Sequence, residues 1–292
     1  MAGCSSTPAS SDKPGSNLVA APVAPTSTPV LTSTAAVSLP IENYLLKNSE
    51  HAQMLYASKL LVKKCLARYG FDYAVDPAGQ QALDPKGDGA NMPRRYGIVD
   101  ASFAARFGYH PSSDLTPRPL PSTPHMSEAE ENVFLGDAPR ADGSTPKVKE
   151  YKGQSVPAHG CAGEAQQKLG TGLQQRLAEN INDASFHQSM ANTRVTAVFK
   201  AWSGCMKQHG YQFDTPLDPL KAPISASPTT AEIEMATSDI ACKQKTNLVG
   251  VWVAVETAMQ NDLIGKNQEA LTEMHRTAES TLKNSSKVIS ER

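Results

Sequence analysis

The sequence predicts an all-α protein: an elongated antiparallel helical bundle with a long C-terminal helix, two disulfides and a disordered N-terminal tether. Three observations predict it. Apolar residues recur at three and four positions over long stretches, the period of a helix face, and the second half is crowded with the strong helix formers Ala, Gln, Glu, Leu and Lys. Four of the five cysteines fall in a repeated unit. Residues 5–40 are mostly Ser, Thr, Pro and Ala, with too little large apolar surface to offset the entropy of ordering.

Taken in order, residues 1–40 read as a tether and 41–292 as a helical domain of two halves, about 41–181 and 182–292. The first helix is expected over 41–69, with Leu45, Ala52, Leu55, Val62, Leu66 and Tyr69 on one stripe. An irregular stretch over 72–126 carries Pro111, Pro117, Pro119, Pro121 and Pro124. Inside it, Asp100 can cap a short helix that Gly108 stops. A brief helix follows Ser127. Another begins near Cys161, with Ala165, Leu169, Leu173, Leu177 and Ile181 on its stripe, weakened by Gly170 and Gly172. The next spans 183–209. The last starts near Thr230 and reaches Leu282, with one break expected at Gly250 or Gly265 and its end projecting as an arm. No strand is expected.

The cysteine unit is the most specific pattern. Cys65-Leu-Ala-Arg-Tyr-Gly70-Phe71 and Cys205-Met-Lys-Gln-His-Gly210-Tyr211 share C-x4-G-[FY], each at the end of an apolar helical pattern. Gly70 and Gly210 suit the left-handed position past a helix end, and the aromatic that follows can fold back on Leu66 or Met206, as in a Schellman stop. Each unit continues through a Pro-rich loop into a Ser/Thr-x-x-Glu helix start, Ser127 to Glu130 and Thr229 to Glu232, and then reaches another Cys. Four cysteines allow three connectivities. The duplication selects Cys65 with Cys161 and Cys205 with Cys242. Disulfides in turn imply an oxidising compartment.

Cys4 is left over, in Met1-Ala2-Gly3-Cys4. Those residues match the small-small-Cys end of a bacterial lipobox, which makes Cys4 the expected lipid attachment site. The charged and apolar segments of such a signal do not precede it. The reading therefore requires that the start lies upstream or that the signal has been removed. The expected location is the outer face of a cell membrane, touched only through a lipid on Cys4. The longest apolar run, Leu248 to Val255, is far too short to span a bilayer.

The search for chemistry excludes more than it finds. Phosphate-loop, dinucleotide, nucleophile-elbow and HExxH motifs are absent. Ser280-Thr-Leu-Lys283 matches SxxK but lacks partner motifs. His110, His125, His159, His187 and His209 show no metal-ligand pairing and read as solvated or capping. Glu128, Glu130 and Glu131 favour a helix dipole. A net charge of −1 gives no pull towards nucleic acid. No catalytic residue, metal or cofactor is assigned. One segment invites ligand binding: Arg94, Arg95, Tyr96, Arg106, Phe107, Tyr109 and Arg118 interleave forked cations with flat aromatic faces. The plainer reading is that its aromatics pack while its arginines face water.

The lipobox end, the two cysteine units and Ala241-Cys-Lys-Gln-Lys-Thr-Asn-Leu-Val-Gly250 resemble uncharacterised secreted lipoproteins of high-GC Gram-positive (actinobacterial) type, over about residues 41–270. The resemblance implies an extracytoplasmic place and supplies no activity. The leading expectation is a non-catalytic surface-anchored protein that binds another envelope component, such as a transporter. The alternatives are a ligand- or wall-polymer-binding protein using 94–118, and an enzyme with no linear motif. An exposed apolar stripe on the last helix favours the first, an Arg/aromatic pocket the second, and a buried acid beside a His the third.

Overall fold

Local stop signals divide the long helical patterns into shorter rods. The computed structural model describes residues 28–75, 87–111, 125–221 and 226–291. Cys4, Arg118 and the prolines at 117, 119, 121 and 124 lie outside the described residues. The described helices are α1 (Asn48–Ala67), α2 (Met92–Arg95), α3 (Ala101–Phe107), α4 (Glu128–Leu135), α5 (Gly160–Leu169), α6 (Arg176–Met190), α7 (Thr193–Gln208), α8 (Thr230–Thr246), α9 (Leu248–Lys266) and α10 (Gln268–Ser290). They form the expected all-α antiparallel bundle. Among them no helix is long and apolar enough to cross a membrane.

Both cross-links form as the duplication indicates: Cys65 to Cys161, with Cα atoms 5.5 Å apart, and Cys205 to Cys242, at 5.7 Å. Both helix stops also form. Gly70 and Gly210 sit at φ +82° and +87°. Phe71 N–H donates to Leu66 O at 3.2 Å, and Tyr211 N–H to Met206 O at 3.0 Å. These are the long hydrogen bonds of a Schellman stop, and they satisfy carbonyls that a helix end otherwise leaves without partners.

Each disulfide lies in its own apolar cluster. Cys65 and Cys161 pack with Val62, Leu66, Tyr69 and Val133, where α1, α4 and α5 meet. Cys205 and Cys242 pack with Trp202, Met206, Leu248 and Trp252, where α7, α8 and α9 meet. The segment 96–99 belongs to the second cluster through Tyr96 and Val99, so the chain between the two units crosses onto the later one. A third cluster joins Leu39, Ile41 and Leu45 to Ile181, Ile264 and Leu271.

Several expectations are corrected. The first helix begins at Asn48, because the chain first makes a one-turn 3-10 helix over Pro40–Asn43. Leu55 is exposed rather than on the buried stripe. The stripe from Ala165 to Ile181 spans two helices, because Gly170 adopts φ +104° and ends α5. The pattern over 183–209 is also two helices, with Asn192 capping α7 by accepting from Arg194 N–H at 3.0 Å. The last pattern breaks twice, at Asn247 and Asn267, and not at a glycine. Asn247 takes φ +51°, a left-handed conformation that Asn tolerates well. The final helix does not project. Leu271, Ala278, Thr281 and Ser285 of α10 are buried, and α10 lies along α1. A two-strand hairpin pairs β1 (Glu150–Tyr151) with β2 (Gln154–Ser155), where no strand was expected.

The end of the assigned tether is folded. Asn247 Nδ2 donates to Thr28 O at 2.8 Å and Thr28 Oγ1 at 3.1 Å. Leu31 packs against the second cluster, and Leu39 and Ile41 are fully buried. One Leu or Ile every few residues was enough surface to order this stretch, although its Ser/Thr/Pro composition argued otherwise.

The two cysteine units yield a paired prediction. Nothing lies within 4 Å of a methyl group placed on Gly70 or Gly210, so replacement by Ala costs backbone strain alone. Each of Gly70→Ala and Gly210→Ala should lower unfolding free energy by about 1–2 kcal/mol in urea titration. Opening the Cys65–Cys161 cross-link should cost about 4–5 kcal/mol and opening Cys205–Cys242 about 4, if loop entropy dominates.

Candidate functional site

The Arg/aromatic segment faces inward. Asn91, at φ +52°, turns the chain into the short α2, and this turn carries Arg95 and Tyr96 under α6 and α9. Arg95 is 7% exposed and Tyr96 is fully buried. Their common partner is Glu256 of α9, also fully buried. Arg95 Nε donates to Glu256 Oε1 at 2.9 Å, and its Nη2 makes a second, shorter bond to the same oxygen. The rest of the guanidinium reaches backbone: Nη1 to Ala90 O at 2.9 Å and Nη2 to Asn182 O at 3.0 Å. Its face lies 4.8 Å from the centre of the Phe186 ring. Tyr96 Oη donates to Glu256 Oε2 at 2.8 Å. Burial, with the adjacent Glu256 carboxylate, holds the Tyr96 phenol well above its ordinary pKa.

The network continues along α6 and α9. Ser185 Oγ lies 3.3 Å from Glu256 Oε1 and accepts from Gln260 Nε2 at 3.0 Å. Gln260 Oε1 accepts Ile41 N–H at 3.1 Å, which ties in the N-terminal strand of chain. Trp252 Nε1 donates to Ser189 Oγ at 2.7 Å. Every polar group named here has a partner, as an interior of low dielectric demands.

A second buried hub surrounds Asp239 of α8. Trp202 Nε1 donates to Oδ1 at 2.8 Å, and Tyr109 Oη to Oδ2 at 3.2 Å. Lys243, one turn on, donates to Oδ2 at 2.9 Å and to Ile98 O at 2.9 Å. Both charged residues are at most 2% exposed. Burial pushes Asp239 up, opposed by Lys243; burial pushes Lys243 down, opposed by Asp239. Tyr109 is raised by burial and by the Asp239 charge.

A third contact joins the same loop to the start of α8. Thr229 caps α8 by accepting Glu232 N–H at 3.2 Å. The Glu232 carboxylate turns to the loop, accepting Tyr109 N–H at 2.8 Å, with His110 Nδ1 also at 2.8 Å. The His110 and Glu232 side chains are 2% and 10% exposed. His110 is thus buried beside an acid, not solvated. Nothing in its local sequence signals this, since Glu232 is 122 positions away.

The assigned ligand-binding residues are therefore not one outward face. Arg95, Tyr96 and Tyr109 are interior, and Arg94 is half-buried with Nη1 donating to Tyr109 O at 2.8 Å. Arg106 alone of the described arginines here is exposed, lying 4.8 Å over the Phe107 ring. The physical reason is charge: Arg95, adjacent to the buried Tyr96, follows it inside because the buried Glu256 carboxylate faces both. Of the cysteines, the four of the folded domain are paired as assigned.

One cluster escaped the sequence reading. The His209 imidazole lies within 4.8 Å of the two sulfurs of the Cys205–Cys242 disulfide, which are bonded to each other. Cys205 lies in the last turn of α7 and His209, four positions on, is the cap residue that ends it. No protein-family model, curated protein or solved structure matches the chain.

The Asp239 hub predicts strong coupling. Lys243→Met leaves a buried carboxylate without its cation and should destabilise by about 3–5 kcal/mol. Adding Asp239→Asn, whose Oδ1 can still accept from Trp202 Nε1 while its Nδ2 donates to Tyr109 Oη, should recover much of that loss, a coupling of up to about 3 kcal/mol. Urea denaturation of the two single variants and the double checks it; additive single effects would refute the hub.

Proposed function

We propose that this chain is a non-catalytic, extracytoplasmic helical protein, held at the outer face of a membrane by a lipid on Cys4, that serves as an adaptor for another envelope component. The supporting observation is the cysteine arithmetic. The chain has five cysteines, and four are joined in two disulfides inside the folded domain. Disulfides persist in oxidising compartments, and Cys4 is left over beside a small-small-Cys motif. The resemblance to actinobacterial lipoproteins favours the same place.

An adaptor suits the interior chemistry. In the Arg/aromatic segment that could have bound a wall polymer, Arg95, Tyr96 and Tyr109 are engaged inside the bundle. The partner surface is not the last apolar stripe, because α10 buries it against α1 and α5. An enzyme remains the second reading, on one observation: buried His110 beside Glu232. We assign that pair to fixing the 108–110 turn on α8, since Glu232 also holds Tyr109 N–H.

Peptide mass spectrometry of the native protein from its own cells tests this. The expected result is a diacylglyceryl group on Cys4 with the 65–161 and 205–242 cross-linked peptides intact. An unmodified Cys4 would remove the anchor, and free thiols at the other four would remove the compartment.

A further inference from the structure

We propose that the Cys65–Cys161 cross-link is a redox-exchangeable clasp, opened by an external dithiol, whereas Cys205–Cys242 is a permanent brace. This does not depend on the lipid anchor or on the adaptor reading.

Arg68 marks the first sulfur. It caps the end of α1, three residues past Cys65, and folds back on that turn: Nη2 donates to Cys65 Sγ at 3.0 Å and Nε to Cys65 O at 3.4 Å. The same Nη2 pairs with Glu164 of α5, whose other oxygen holds Lys168 at 2.6 Å. Two cations thus share one carboxylate, and one net positive charge remains beside the sulfur. On α4, Glu131 is paired with Arg140, and Glu130 acts on the Tyr73 phenol. A guanidinium stays charged at every working pH, so it stabilises a thiolate formed at Cys65.

A helix start marks the second sulfur. Cys161 is the second residue of α5, where backbone N–H groups have no helical partners and the dipole favours negative charge. Thiols in such a place ionise more readily. Each sulfur of this pair therefore has a positive neighbour, one a side chain and the other a helix end.

The second cysteine unit is an internal control at matched positions. Three residues past Cys205 stands Gln208, which carries no charge. Cys205 lies in the last turn of α7 and Cys242 near the end of α8, where the dipole disfavours a thiolate. Lys207 is exposed, and the Lys243 ammonium is turned to Asp239 and Ile98 O. His209 is beside these sulfurs, and imidazoles carry charge mainly in acid, so alkaline pH separates it from a guanidinium. Exposure alone orders the pairs the other way: Cys205 is 7% exposed and Cys65 3%, with Cys161 and Cys242 fully buried.

In the exchange, a thiolate of the dithiol attacks Cys65 Sγ, drawn by the Arg68 charge, and forms a mixed disulfide as the Cys65–Cys161 bond breaks. Cys161 leaves with the electron pair at the start of α5 and takes up a proton. The second thiolate of the reductant then attacks its own partner sulfur, closing the reductant's disulfide and releasing Cys65 as a thiolate against Arg68. Two electrons pass to the protein. Of the two thiol protons of the reductant, one ends on Cys161 and one in solvent. No bond then holds α5 to α1, while Cys205–Cys242 still joins α7 to α8.

The test equilibrates the full chain with reduced and oxidised dithiothreitol at several ratios, quenches in acid and alkylates free thiols. Peptide mass spectrometry then reads each pair. At pH 8 the reduction equilibrium constant of Cys65–Cys161 should exceed that of Cys205–Cys242 by about tenfold or more, since each unit of added thiol acidity is worth tenfold. From pH 7 to 8 it should rise by up to about tenfold, because opening releases a proton, while that of Cys205–Cys242 stays nearly level. Arg68→Ala should lower the first constant by about tenfold and leave the second unchanged, and Arg68→Lys should retain part of the effect. A merely structural role for Arg68 moves the constant the opposite way, because a loosened fold eases reduction. Reduction of Cys205–Cys242 as readily as Cys65–Cys161 would overturn the proposal. So would a first constant that Arg68→Ala leaves level or raises.

Discussion

Glu256 is a carboxyl group enclosed entirely by protein, and Arg95 has been brought inside to face it. Removing an ion from water costs several kcal/mol, so the pair persists only with near-complete hydrogen bonding around it. That demand fixes much of the architecture. Arg95 draws the 90–96 turn beneath α9, Tyr96 comes with it against Trp252, and Ser185 and Gln260 align α6 with α9. Through Gln260 the same network holds Ile41, where the N-terminal segment enters the domain. A chain stretch with few regular elements is thereby seated in a single position.

The two cysteine units show how one local device can serve two surroundings. Each supplies a helix, a left-handed glycine stop, an aromatic that folds back, and a cross-link to a later helix. The first is completed by the short α4 and α5 with a hairpin between them, the second by the long α8 and α9. The crossing segment 90–110 belongs in sequence to the first unit and in packing to the second. Its Tyr109 meets Lys243 of α8 on Asp239, and Lys243 is the neighbour in sequence of the cross-linked Cys242. Buried polar hubs of this kind contribute less to stability than to selecting one arrangement among many similar helix packings, which is the role best attested for buried ionic groups.

What was legible in the sequence was local. Gly70, Gly210, Asp100, Ser127 and Thr229 act within one turn, and their side chains or φ angles could be assigned from neighbours alone. The disulfide pairing was legible because the repeat exposes it. The helix breaks at Asn247 and Asn267 were hidden, since apolar periodicity runs through them and the glycines nearby drew attention instead. The Arg95–Glu256 contact spans 161 positions, and no local rule reports whether an arginine between aromatic residues will meet water or a carboxylate. The order of residues 28–40 was missed for a related reason: Leu31, Leu39 and Ile41 matter only because apolar clusters wait on other helices.

The crossing segment is seated by the Glu256 hub, and hydrogen exchange read by mass spectrometry probes that hub directly. In Glu256→Gln the amides around 90–99, 182–189 and 39–41 should lose protection together, although they are remote in sequence. Those of α4, and of α5 that the Cys65–Cys161 bond links to α1, should keep theirs. Loss confined to the turn of α9 that bears residue 256, with 90–99 and 39–41 still protected, would contradict the claim that this buried carboxylate seats the crossing segment.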